Sequence, residues 1–300
     1  MIDVEVARTF LAVIETGTFQ GAARQVNVTQ STVSSRIKTM ENRLGVRVFE
    51  RSKAGAEMTA SGRLFERYAR AIVRAWEQGR QQAGLPKQYK DLLVVGGQYN
   101  LWARLLTNWM IGMREALPDV AFRAEAGSPG HLSQLLSEGL LDIAVVHHPR
   151  LRPDLETEQL MEDELILVTS DKAGRYLENY VFVDWGEAFR DQHAQSLPEL
   201  MDARTTVSLG FFGASFLISS GTAGYMPRRL VQPHLEQGFL FETTDTPVFA
   251  YPVFAAYHSD RASHVLDVAL ELLRLQASLA NRGNLPPPFW AANTDGLSAF

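Results

Sequence analysis

Residues 21 to 45 read GAARQVNVTQSTVSSRIKTMENRLG, and they leave little freedom to the chain around them. Upstream, Phe10, Val13 and Ile14 have helical spacing that stops at Gly17. Thr18 is then placed to cap a second helix carrying Phe19, Ala22, Ala23 and Val26. The turn that follows is only NVT: Asn27 tolerates the left-handed backbone a tight turn needs, and Thr29 caps a third helix. On that helix Val33, Ile37, Met40 and Leu44 fall within about 60° of one another, a compact stripe that must face a core.

Opposite the stripe lie Ser31, Ser35, Lys38 and Asn42, with Gln30 and Ser34 on one flank and Arg36 and Arg43 on the other. Each can donate a hydrogen bond and none is acidic. Short donors in the first turns and cations further along are what a helix needs to enter the major groove of DNA and hold phosphates. An amphipathic helix with a solvated polar face has the same periodicity; the short turn, the small residues Ala22 and Ala23, and the basic surround favour DNA.

Charge is divided along the chain. Residues 1 to 90 carry 15 Lys+Arg against 8 Asp+Glu, and residues 91 to 300 carry 14 against 26, so a net −5 conceals a basic end and an acidic remainder. No apolar run approaches the length of a membrane span, and the start MIDVEVARTF has no signal-peptide features, which places the protein in the cytoplasm. Absence of cysteine removes disulfides, thiolate metal sites and cysteine nucleophiles.

The run FLAVIETGTFQGAARQVNVTQSTVSSRIKTMENRLGVRVFER, followed by MTASG, resembles the N-terminal winged helix-turn-helix of the LysR-type transcriptional regulators. LWARLL and VDWGEAF resemble a sub-branch of the enterobacterial flagellar-master-operon repressor type. The resemblance implies base contacts at Gln30, Ser31 and Ser34 and phosphate contacts at Arg51 and Lys53 of the wing; Thr29, Thr32, Ser35, Arg36 and Lys38, on or beside the same helix face, complete the expected DNA-binding set. Two departures stand out: Ser31 where many members have proline, and Ser35 where many have arginine, which removes a guanine-reading guanidinium.

TASGRLFERYARAIVRAWEQGRQQAGLP reads as one long helix, capped by Thr59 and ended by Gly84 and Pro86, with Leu64, Phe65, Tyr68, Ile72, Val73 and Trp76 as a wide apolar stripe. A small winged domain cannot cover all of it. By resemblance this linker pairs with its counterpart in a homodimer, and dimers join into a homotetramer on an interrupted inverted repeat of double-stranded DNA.

Beyond residue 90 strands and helices alternate. DLLVVGG, VAFRAEA and LDIAVVH are strands separated by helices over NLWARLLTNWMIGMREAL and PGHLSQLLSEG; LILVTS, YVFVDW, TTVSLG and PVFAYPVFAAYH continue the series before a late helix in RASHVLDVALELLRLQASL. This is an α/β half with mostly parallel pairing. By resemblance to that family the fold expected is α/β: a winged helix-turn-helix (1–62), a linker helix and hinge (63–90), and a periplasmic-binding-protein-like effector domain (91–285). That domain divides into two α/β subdomains, 91–165 with 266–285 and 166–265, and the tail 286–300 carries no assigned function.

Ligands of open α/β sheets collect at strand carboxyl ends, near helix N-termini. The matching residues are Gln98, Tyr99, Asn100, Leu101, Trp102, Ser128, His147, Trp185 and Gly210. Gln98, Asn100 and Ser128 suit a carboxylate and the two indoles an apolar body, so the small-molecule effector expected is anionic; no cofactor is implied. His147 and His148 cannot close on one metal, because neighbours on a strand point to opposite faces; one of them faces the cleft. No G-x-G-x-x-G or G-x-S-x-G is present, so no enzyme chemistry is expected. The alternative is a cytoplasmic small-molecule binding protein or enzyme whose N-terminal domain serves only in dimerisation.

Overall fold

The computed structural model describes residues 3–52, 55–149, 155–208, 210–258 and 263–281. Its N-terminal unit opens with α1 (Val4–Thr16), capped by Asp3 and ended by Gly17 at φ +66°; α2 (Phe19–Gln25) and α3 (Gln30–Leu44) follow, each capped by the threonine before it. Asn27, in the turn between them, has φ +52°. The antiparallel wing strands β1 (Phe49–Ser52) and β2 (Gly55–Met58) lead into α4 (Ala60–Ala83), 24 residues capped by Thr59.

Phe10, Val13, Ala22, Val33, Ile37, Met40, Val48 and Phe49 form this unit's core. α4 closes it with Ala69 and Val73. Approach is close enough that a Cβ on Gly62 would stand 2.3 Å from the Val48 carbonyl oxygen, so only glycine fits where the helix crosses the wing base. The apolar stripe expected on α4 is divided: Phe65, Ile72 and Val73 pack against the N-terminal core, while Leu64, Tyr68 and Trp76 remain 66%, 52% and 53% exposed.

The remaining elements are β3 (Asp91–Gln98), α5 (Thr107–Ala116), β4 (Val120–Gly127), α6 (Pro129–Ser137), β5 (Ile143–Val146), β6 (Leu155–Thr169), β7 (Val181–Val183), α7 (Glu187–Ser196), β8 (Thr205–Val207), α8 (Gly213–Ser220), β9 (Ala223–Pro227), α9 (Arg228–Glu236), β10 (Phe241–Glu242), β11 (Phe249–His258) and α10 (His264–Asn281). The helix expected over residues 100 to 117 begins instead as a 3-10 turn (Tyr99–Leu101) and a π turn (Trp102–Leu106) before α5. β9 was not apparent in the sequence, and β6 starts ten residues before the LILVTS that signalled it.

Seven strands form one sheet in the order β10-β6-β11-β5-β3-β4, with β9 also on β6. The expectation of mostly parallel pairing is corrected here. β3 runs parallel to β4 and β5, and β7 to β8, but β11 is antiparallel to both β5 and β6, as β9 and β10 are to β6. The reason is the path of the chain: β6 carries it from one apolar core to another and β11 brings it back.

One core gathers Leu93, Val95, Trp109, Ile143, Val145 and Leu270, backed on the other sheet face by Leu92, Val94, Leu132 and Val146. Burial on both faces explains why β3 and β5 read as unbroken apolar runs. The other core holds Leu165, Leu167, Val181, Val183, Leu217, Tyr225 and Val231. Along β11, Phe249 and Tyr251 belong to this second core and Val253 and Ala255 to the first. Among the described residues no helix is long and apolar enough to cross a membrane.

Candidate DNA-contacting face and effector cleft

The N-terminus of α3 is built by its cap. Thr29 Oγ1 accepts from the Thr32 N–H at 3.2 Å and lies 2.8 Å from the hydroxyls of both Ser31 and Thr32, which ties these short side chains into one cluster. Gln30, Ser31, Ser35 and Lys38 are exposed and Ser34 half-buried, with Val33, Ile37 and Met40 buried beneath. Arg36 does not join this face: its Nη1 donates to Thr9 Oγ1 at 3.0 Å and lies 3.7 Å from Glu5, so it braces α3 against α1.

A groove bounded by Ser34, Lys38 and Asn42 of α3 and by Val46 and Arg47 before the wing runs alongside the helix. Glu41, which did not stand out in the sequence, fixes the wing to the helix: its carboxylate accepts the backbone N–H groups of Val48 and Phe49 at 2.9 and 3.3 Å. At the wing, Arg51 pairs through its backbone with Ala56. Its side chain and the whole of Lys53 lie outside the described residues.

The strand-end residues of the other half do converge. Gln98 Oε1 accepts the His147 backbone N–H at 2.5 Å, and the turn holding Tyr99 and Asn100 meets the 3-10 turn Gly210–Phe212 from the second core. Tyr99 is exposed, Trp102 is half-buried with its indole N–H on the Gly97 carbonyl at 3.1 Å, and Ser128 is exposed as the cap of α6. Gly210 has φ +51°.

Four expected contact residues prove to be supports. Leu101 is fully buried in the first core. Trp185 is 6% exposed, its indole N–H held by the Tyr225 carbonyl at 2.7 Å. Asn100 and His147 are buried against each other, Asn100 Nδ2 lying 2.9 Å from His147 Nε2, while His147 Nδ1 sits 3.2 Å from the carbonyls of Tyr251 and Pro252. Carbonyls only accept, so the proton is on Nδ1 and Nε2 accepts from Asn100. Burial, then the positive charge of Arg229, pushes the His147 pKa down to about 3, so this imidazole is neutral at physiological pH. It stacks on Tyr251 with ring centroids 3.5 Å apart. The exposed member of the histidine pair is His148.

Tyr251 and Pro252 had no functional signal beyond a proline interrupting an otherwise strand-like run. That proline precedes a register shift between Val253 and Phe254, where β11 begins to pair with β5 as well as β6.

An N-terminal unit with an acid-free helix face joined by a long helix to a two-core α/β half defines a class. Residues 5–63 match the bacterial regulatory helix-turn-helix protein family of lysR type, and residues 87–278 match the LysR substrate binding domain. The chain belongs to the LysR family of transcriptional regulators, with a DNA-binding and an effector-binding domain. Among characterised relatives it is similar to the HTH-type transcriptional regulator HdfR of Salmonella schwarzengrund, 26% identical over 274 residues, 89% of this chain and 97% of the relative. HdfR of Salmonella dublin is 25% identical over 273 residues, with the same coverage of both chains. The fold is shared with ArgP from Mycobacterium tuberculosis (TM-score 0.57, 20% identity, covering 93% of this chain and 98% of that one). It is shared also with full-length LysG from Corynebacterium glutamicum with bound effector Arg (TM-score 0.55, 16% identity, covering 92% and 98%).

Proposed function

We propose that this regulator binds an interrupted inverted repeat as a cytoplasmic homo-oligomer and responds to a small anionic effector in the cleft of its C-terminal half. Residues 1–62 then form the DNA-binding domain, 63–90 the linker and hinge, and 91–285 the effector domain, with subdomains 91–165 plus 266–285 and 166–265. The observation that carries the reading is the face Gln30, Ser31, Ser34, Ser35 and Lys38: capped at its N-terminus, free of acidic groups, and flanked by a wing tied to the same helix through Glu41. Linker helices paired through Leu64, Tyr68 and Trp76 hold two such faces, and dimers join into a tetramer.

The effector is proposed to sit among Gln98, Tyr99, Trp102, Ser128, His148 and Gly210, where the α6 N-terminus favours negative charge. Footprinting tests the DNA reading. Ser34→Ala is expected to relax preference at one base step and weaken specific binding by about 1–3 kcal/mol, while Arg51→Ala weakens binding to all sequences alike. Protection unchanged in both variants would show that α3 does not read DNA at these positions, whereas no salt-sensitive gel shift with any genomic fragment would leave a ligand-binding protein that uses its first domain only to dimerise.

A further inference from the structure

Arg229, in the first turn of α9, is used by neither the helix face nor the cleft. Its side chain is 8% exposed, and Nε lies 3.3 Å from Asp163 Oδ2, on a side chain 3% exposed. That contact balances charge without a hydrogen bond: Nε, Nη1 and Nη2 of Arg229 make none to any described residue, and neither does Asp163 Oδ2. A guanidinium presents five N–H donors in a fork that matches a carboxylate, and donors removed from water without acceptors are costly.

Arg229 lines a cavity of about 540 Å³, a volume suited to a small organic molecule. Arg104, delivered by the π turn, lines it too, and its pKa is lowered by burial first and then by the positive charge of Arg229. The two guanidinium groups therefore act in one field. Glu164 accepts from Arg228 at 2.8 Å and Glu236 from Gln232 at 2.9 Å, Glu236 also attracts Arg104, and Glu162 is exposed. With Asp163 these carboxylates outnumber the three guanidinium groups of the lining, so the cavity has no excess positive charge: the open donors of Arg229 suit a single carboxylate, and a polyanion is repelled.

We propose that this cavity is a second ligand site, distinct from the cleft, which takes a small monocarboxylate whose oxygens accept from Arg229 and Arg104. None of Gln98, Ser128, His148 or Gly210 lines it. Arg104 stands in the turn that leads into the first core and α9 packs on the second, so the bound carboxylate braces one against the other.

The test is thermal denaturation and calorimetric titration of the full chain with acetate, pyruvate and benzoate, and with phosphate and citrate as polyanions. At least one monocarboxylate is expected to raise Tm and to bind at least tenfold more weakly to Arg229→Lys, which keeps the charge beside Asp163 but loses the fork, and to Arg104→Met. Ser128→Ala is expected to bind it as wild type does. Equal binding to wild type and both arginine variants would overturn the proposal, as would binding lost only in Ser128→Ala, tighter binding of phosphate or citrate, or no response to any monocarboxylate. Circular dichroism of each variant shows that a lost response is not lost folding.

Discussion

His147 shows how a residue chosen for its chemistry becomes a structural one. Its folded pKa of about 3 lies below the unfolded value of about 6.5, so the unfolded chain takes up the proton first. The stability this contributes is whole above pH 6.5 and is lost as pH falls through the window toward 3. By pH 5 the loss is about 2 kcal/mol. Urea denaturation at pH 7.5 and pH 5 is expected to show a smaller drop for His147→Gln than for wild type; equal drops would show that the imidazole is not a neutral strut. Asn27 makes a simpler case. At φ +52°, Asn27→Ala is expected to lower stability by about 1 kcal/mol and Asn27→Gly to leave it nearly unchanged, read from the same denaturation curves.

The linker helix separates two kinds of apolar residue that its sequence periodicity had merged. Val73 is buried in the N-terminal core, and Val73→Ala is expected to cost about 1–3 kcal/mol while leaving assembly intact. Tyr68 and Trp76 lie exposed, and Tyr68→Lys with Trp76→Lys is expected to leave the fold unchanged but to give a lower-mass species by light scattering that protects only half a site. A wild-type monomer at micromolar concentration that protects a full inverted repeat would contradict that role. The helix also carries buried charge. Glu77, 6% exposed, accepts from Arg8 of α1 and from Arg80 at 2.7 Å, which fixes α4 to α1 at a second level.

At the scale of the molecule, among the glycines of the effector half the linker helix approaches Gly139 most tightly, and Gln82 adds a hydrogen bond to Asp91. Gly139 has φ +73°, and a Cβ there would stand 2.6 Å from Arg74 Cγ and 2.7 Å from Arg74 Cα, so this close approach requires a residue without a side chain. Gly139→Ala is expected to free α4 from that half and to raise the rate of tryptic cleavage at the exposed Lys87; unchanged cleavage would show the contact to be incidental. The divided charge belongs to this scale as well. A basic DNA-binding end on an acidic body predicts binding that weakens steeply with salt, by about 10³ or more between 50 and 200 mM if six phosphates are neutralised.

What the sequence by itself determined is whatever short-range physics encodes. Thr18, Thr29 and Thr59 cap the helices they precede, Asn27 takes a positive φ, and Val33, Ile37 and Met40 face a core, because each depends on neighbours within about one turn. The family, too, was legible, since the helix-turn-helix is one such local pattern. Only the tertiary structure decided that β6 and β11 run antiparallel between two cores, because strand direction is set by where the chain must return. It also decided that Arg36 turns inward to Thr9. It made His147 a buried support, whose partners Asn100 and Tyr251 are 47 and 104 residues away. Finally, it placed Arg229 and Arg104 on one cavity, from positions 125 residues apart in a chain that gives no local sign of their meeting.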